Sequence, residues 1–243
     1  MEMNRSLSDK KVLLLGGTSG IGFATARAAA LEGATVVVVS SQPDKVEHAL
    51  SRLPDNSEGH VVDVTNETEQ QDFFNRVGKF DHLIFTAGEA LLIDSIHAMD
   101  SESARRFFNL RYWGAFTAAK YGSPNIRPGG SISFTSGVAA ARPNPGLSVA
   151  ASVCGAIEAM TRALAVELRP LRVNAIAFGM IRTELWNHLT NEQLAAMDDS
   201  AAKTLLVGKL GEPEDAAEAF IYLMKEQYTT GQILVVDGGA SLV

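Results

Sequence analysis

A single cysteine, Cys154, stands in 243 residues, so no disulfide can close within the chain and a reducing, cytoplasmic setting is expected. Basic clusters are missing too. The formal net charge is −7 and no run of Lys or Arg occurs, which argues against a nucleic-acid or anionic-membrane surface. The five histidines are scattered, with no HExxH or CxxC spacing, so no metal site is expected. Met1 to Lys11 is polar and lacks the apolar core of a secretory signal. No apolar run reaches the roughly 18 residues of a membrane-spanning helix, and no membrane partner is expected. Proline is sparse, at 8 residues against 21 glycines. What is present is the composition of an ordinary globular enzyme, 46% hydrophobic and 20% charged, in a chain long enough to bury one full core. Residues 1–243 therefore read as one domain.

Short β-branched runs alternate with Ala-rich stretches from end to end, the pattern of an α/β protein with a doubly wound parallel sheet. Val12 to Leu15 and Val36 to Val39 are continuous apolar runs, as expected of strands buried on both faces. Further strands are expected at 59–62, 81–85, 131–135, 172–177 and 232–236. Helices are expected near 22–32, 43–53, 65–77, 100–121, 150–168 and 213–226. Neither a repeat nor a domain linker is visible. Gly179 to Gly208 is the one long irregular insertion. Its Trp186, Leu189, Leu194 and Met197 on a polar background suit a lid helix over a pocket, at about 180–208, or a surface helix on an edge.

The first strand runs directly into Gly16, Gly17, Thr18, Ser19, Gly20, Ile21 and Gly22, and a helix follows. Glycines at such spacing allow a tight turn, close approach of a pyrophosphate and packing of helix on strand. The helix N-terminus adds free N–H groups and positive dipole. This predicts a dinucleotide site, with Thr18 and Ser19 in the loop. The second strand ends at Ser40, Ser41 and Gln42. An NAD enzyme usually has an acidic residue there, about 20 residues past the loop, on the ribose 2′-hydroxyl. Two hydroxyls and an amide can instead donate to a 2′-phosphate, so NADP(H) is expected over NAD(H), although no Arg stands nearby. Asp63, at the end of the third strand, is placed for an adenine edge or to cap the helix after it.

With these motifs in hand, the chain resembles the short-chain dehydrogenase/reductase family over essentially its whole length. The resemblance rests on the Gly16, Gly20 and Gly22 loop, Asp63-Val64, Ala87-Gly88, Ser136, Ala163 to Leu168 and Arg172 to Ala177. Gly211 to Asp215 and Gly231 to Gly239 complete it. It implies a Rossmann-type sheet of about seven strands with helices on both faces, a nicotinamide cofactor, a small-molecule substrate and a homodimer or homotetramer. It also implies that Gly179, Ile181 and Thr183 lie at the nicotinamide end. Two departures fall near that end: Phe178 replaces a usual Pro, and Phe85 and Thr86 replace two usual Asn.

In this family, carbonyl reduction resembles acid catalysis by a Tyr whose pKa is lowered by a Lys, with a Ser orienting the carbonyl and an Asn holding a water relay. Ser136 matches the Ser; the alternative is a hydroxyl that caps the strand end. Counting back from Glu167 without gaps puts the Tyr at Ala150 and the Lys at Cys154, and a one-residue shift gives Val149 and Val153. Neither register supplies a proton donor or a cation. Aligning Gly114 to Phe116 places Arg111 at the Asn position. An Arg cannot act as an acid at neutral pH, but it can bind a carboxylate or stabilise an oxyanion; a structural ion pair is the alternative. Glu89 follows Gly88 and either carries a proton near the nicotinamide or is an exposed loop residue. Cys154 reads as a small buried hydrophobe. The expectation is an NADP(H)-dependent oxidoreductase acting on a small carbonyl, enone or imine through Arg111, Ser136 and Glu89. The alternatives are an inactive or regulatory cofactor-binding homologue, or a lyase or isomerase using the cofactor as scaffold.

Overall fold

The computed structural model describes residues 6–187 and 189–243. Residues 1–5, and His188 within the expected lid, lie outside the described residues. In chain order the elements are β1 (Lys11–Leu15), α1 (Gly20–Leu31), β2 (Thr35–Ser40), α2 (Pro43–Leu50), β3 (Glu58–Val61), α3 (Glu67–Arg76) and β4 (Phe80–Phe85). There follow α4 (Ser101–Phe108), α5 (Gly114–Gly122), β5 (Ile126–Gly137), α6 (Ser148–Glu167), β6 (Arg172–Phe178), α7 (Asn191–Thr204), α8 (Pro213–Lys225) and β7 (Ile233–Val236).

The strands form one parallel sheet in the order β3-β2-β1-β4-β5-β6-β7. Period-2 alternation of the strands sends their apolar side chains to two separate cores. Leu13, Leu15, Val37 and Phe134 join Phe73 and Phe74 of α3, Ala115 and Ala118 of α5, and Val153 and Ile157 of α6 on one face. Val12, Leu14, Val36 and Ile176 join Ala26 of α1 and Phe220 of α8 on the other. Both faces are thereby covered, as a parallel sheet requires. The strand order reverses between β1 and β4, and in sheets of this kind ligands bind at that switch point, beyond the carboxyl ends of the strands.

Three local features differ from the sequence expectation. The helix expected over 100–121 is broken by a π turn at Asn109–Trp113, joining α4 to α5; such turns insert a residue and re-aim the side chains around them. The insertion after β6 carries the helix that the sequence suggests, over a narrower range than 180–208. It holds a short 3-10 turn, Glu184–Trp186, and the 14-residue α7. α7 starts on a capping box, with Thr190 and Gln193 satisfying each other's backbone N–H. Finally, α6 is long and apolar enough, by length and composition alone, to cross a membrane. Its Ala150, Val153, Ile157 and Met160 are buried in the core with Phe134, which accounts for part of its apolar character.

Candidate active site

The glycine loop is fixed by close backbone approach. Gly16 has φ +88°, and a Cβ there would lie 2.5 Å from the amide nitrogen of Ala87. Only glycine fits both demands. Thr86 strengthens the junction, its hydroxyl donating to the carbonyls of Gly16 at 3.1 Å and Leu15 at 3.3 Å. α1 then begins at Gly20 with Ser19 at its N-cap, whose side chain makes no capping bond. The first-turn N–H groups of α1 therefore keep their donors for a ligand, and the loop fits a pyrophosphate.

At the ends of β2 and β3, Ser40 Oγ accepts from the Gln42 amide at 3.2 Å, while Ser41 and Gln42 are exposed. The Asp63 carboxylate accepts from the Thr65 amide at 2.8 Å and its hydroxyl at 2.7 Å. Asp63 does not cap α3, because Asn66 takes that role, accepting from Thr68 and Glu69. Val64 is tied inward, its carbonyl accepting from buried Gln70 Nε2 at 2.7 Å.

Beyond β4 the chain passes Ala87-Gly88 and meets Arg111 from the π turn. The guanidinium lies over the Phe107 ring, 4.5 Å from its centroid. It also lies flat against Gly88, where a Cβ would come within 3.0 Å of three guanidinium atoms. Arg111 Nη2 donates to the Glu89 carbonyl, and Arg111 Nε is buried without a partner. Burial pushes Arg111 below its ordinary pKa, with Cys154 and Glu89 opposing the shift. Among the described residues Arg111 has no ion pair. The Glu89 side chain itself is exposed, so it is the backbone of Glu89 that Arg111 fixes.

The ends of β5 and α6 bring the third group together. Ser136 is 7% exposed, and its hydroxyl donates to Glu158 Oε1 at 3.1 Å and to the Cys154 carbonyl at 3.4 Å. The strand-end hydroxyl is thus tied to α6. Cys154 is half-buried. Burial pushes its thiol up, against the lowering effects of a hydrogen bond from Ser136, the Arg111 charge and the Gly137 amide. Ala150, Cys154 and Glu158 recur every four residues on one stripe of α6. Glu158 had no role in the sequence reading. Its spacing from Cys154 marks it only once α6 is known to lie against Ser136. Arg111 and Ser136, expected in one site, make no direct hydrogen bond with each other among the described residues; the Arg111 charge and Ser136 both act on the Cys154 thiol.

Past β6, Gly179 packs against the backbone of Asp237, and Ile181 bridges to Gly211. Trp186 Nε1 donates to the Ile181 carbonyl at 2.8 Å. Thr183 and Glu184 reach back over the glycine loop, with Glu184 Oε2 only 3.1 Å from where a Cβ on Gly20 would stand. Arg182 is ion-paired with Asp198 of α7 and Glu212 before α8, which fastens this segment at its other end. Among the described residues no group of three or more His, Cys, Asp or Glu could hold a metal ion.

A family model described as enoyl-(acyl carrier protein) reductase matches residues 16–241. The short-chain dehydrogenase/reductase ATR9 of Stachybotrys chlorohalonatus is 37% identical, covering 98% of this chain and 99% of that protein. The short-chain dehydrogenase/reductase malC of Malbranchea aurantiaca is 33% identical, covering 97% and 96%. Among solved structures, a small-chain dehydrogenase in complex with NADPH matches with TM-score 0.85 and 33% identity over 96% of this chain and 99% of that one. The MalC reductase/Diels-Alderase from Malbranchea aurantiaca matches with TM-score 0.91 and 30% identity over 98% and 99%.

Proposed function

Because the chain belongs to the short-chain dehydrogenase/reductase family, we propose that it is an NADP(H)-dependent oxidoreductase reducing a small organic carbonyl, enone or imine at a reacting end built around Arg111. The observation that carries this reading is the guanidinium at Gly88, half-buried with its Nε enclosed and without an ion pair among the described residues, held by Phe107 and the Glu89 carbonyl. The cofactor supplies the hydride when bound. The chain's residues do the rest. Gly16 to Gly22 hold the pyrophosphate, and Ser40, Ser41 and Gln42 hold the 2′-phosphate. Asp63 and Val64 border the adenine. Ala87, Gly88, Gly179, Ile181 and Thr183 border the nicotinamide, an assignment that the NADPH-bound neighbour at 33% identity supports.

At the reacting end, Arg111 binds and polarises the substrate, since a cation fixed in a poorly solvated place stabilises developing negative charge strongly. Ser136 acts through Cys154, keeping α6 and the end of β5 in register. A proton leaving the Cys154 thiol for the substrate is replaced through the Ser136 hydroxyl from Glu158, which takes its own from solvent; Glu89, exposed, exchanges protons with water at the rim. The segment over 180–208 is the substrate lid. The molecule is a homodimer or homotetramer, for which the exposed aromatic cluster of Trp113 and Phe116, ring centroids 5.7 Å apart, is the support. A free half-buried thiol at this place also suits a cytoplasmic setting.

The test is NADPH oxidation, followed at pH 7 with a panel of ketones, enones and cyclic imines. Multiple turnovers with at least one member are expected. Silence across the panel, with NADPH binding measured on the same sample, would contradict the reading. A second reading is favoured by one feature: α6 carries neither Tyr nor Lys. It makes the chain a cofactor-scaffolded lyase or isomerase, or a non-catalytic binding homologue. A neighbour whose name joins a reductase to a Diels-Alderase accords with it. Conversion of substrate with no net NADPH consumption would select it.

A further inference from the structure

We infer that the substrate binds as an anion, with a carboxylate seated on the Arg111 guanidinium and an apolar body beyond it. The inference rests on the oxidoreductase reading and adds the substrate class to it. Arg111 is half-buried with its Nε enclosed, and a cation withdrawn from water is costly to the extent that a counter-charge and hydrogen bonds do not compensate it. Arg111 has part of the second and none of the first. Its Nη2 donates to the carbonyl of Glu89, a neutral acceptor. Its Nε is buried with no partner. Among the described residues no carboxylate lies within ion-pair distance, whereas Arg182, Arg127 and Arg162 each have one.

The two groups that act on Arg111 electrostatically are Cys154 and Glu89. Neither neutralises it. Burial pushes the Cys154 thiol up, so at pH 7 it is the uncharged thiol, and the Glu89 side chain is exposed, where water screens it. The position of the guanidinium is nevertheless over-determined, by the Phe107 ring below, the missing side chain at Gly88 and the π turn that aims it. A charge kept in so fixed a place without a counter-charge is organised for a ligand that brings one. A carboxylate matches the planar fork of the guanidinium in shape and charge. A neutral carbonyl would satisfy a hydrogen bond and leave the charge unpaired. Leu91, Leu92, Leu147 and Val149 pack, partly buried, against the same core as the Phe107 ring on which the guanidinium rests, and an apolar substrate body suits that core.

The test uses carboxylates and their amides: acetate, benzoate and phenylacetate against acetamide, benzamide and phenylacetamide. Each is titrated into the wild type and into Arg111→Met, with and without saturating NADPH, and read by calorimetry and thermal unfolding. At least one carboxylate is expected to bind about tenfold or more tighter than its amide, and the preference should vanish in the Met variant. Without ligand, the Met variant should melt at or above the wild-type temperature, because an uncompensated buried charge has been removed. Equal binding of every carboxylate and its amide would overturn the inference, as would a carboxylate preference that survives in Arg111→Met. Failure to bind NADPH would sink the oxidoreductase reading instead, and the comparison made without NADPH would still decide the charge question.

Discussion

Glu158 is the residue through which the site differs most from what its sequence announces. It stands one helical turn from Cys154 and takes a hydrogen bond from Ser136 at 3.1 Å, with its side chain 18% exposed. If protons pass this way, Glu158→Gln lowers kcat about tenfold or more on any substrate that takes up a proton. It also leaves NADPH affinity unchanged. An unaltered kcat would show that the carboxylate only packs. Away from the site, His82 is buried on β4, with Nδ1 at 2.9 Å from Ser131 Oγ. Burial, and next the Arg172 charge, hold its pKa down to about 4 from 6.5. The unfolded chain takes up this proton first as pH falls. The contribution is therefore complete above about pH 6.5 and lost on the way down to about pH 4, an upper bound of about 3 kcal/mol. Urea unfolding of His82→Gln should show a flatter decline of stability over that window than the wild type. An equal slope would assign the acid loss elsewhere, Asp81 being next in line.

Among the elements, the segment between β6 and α8 lies against the glycine loop. Its near end lies on the glycine loop through Thr183 and Glu184, and its far end is held by Arg182 to Asp198 and Glu212. A carboxylate close to the first turn of α1 occupies ground that a pyrophosphate needs and repels it. Glu184→Gln should therefore bind NADPH about three- to tenfold more tightly, in line with the worth of a charge at a helix terminus. Weaker or equal binding, measured by fluorescence titration, would mean that Glu184 swings clear at no cost. The strands and most helices were legible because burial on two faces writes continuous apolar runs into β1 and β2. α7 was legible in part: Trp186, Leu189, Leu194 and Met197 stand at i, i+3, i+8 and i+11, one helical face, while its start is marked by the capping pair Thr190 and Gln193. The π turn was illegible, since a one-residue insertion inside an amphipathic helix leaves composition and periodicity almost intact. Its effect is to aim Arg111.

Across the whole molecule, the fold and the dinucleotide loop follow from sequence, because both depend on local rules: alternation in strands, glycine where backbones touch, a helix start behind them. The reacting end does not. It is assembled from β4, the π turn, β5 and α6, segments 88 to 158 that only the sheet order brings side by side, so the counter-charge Arg111 lacks and the hydrogen bond Glu158 receives could not be read along the chain. The account as a whole stands on Arg111 as the group that binds and polarises the substrate. The most direct measurement is steady-state NADPH oxidation by the wild type and Arg111→Met on the same substrate, with NADPH affinity determined for both. The account predicts a loss of about 100-fold or more in kcat/KM with NADPH affinity unchanged. Turnover by Arg111→Met within a few-fold of the wild type would contradict it.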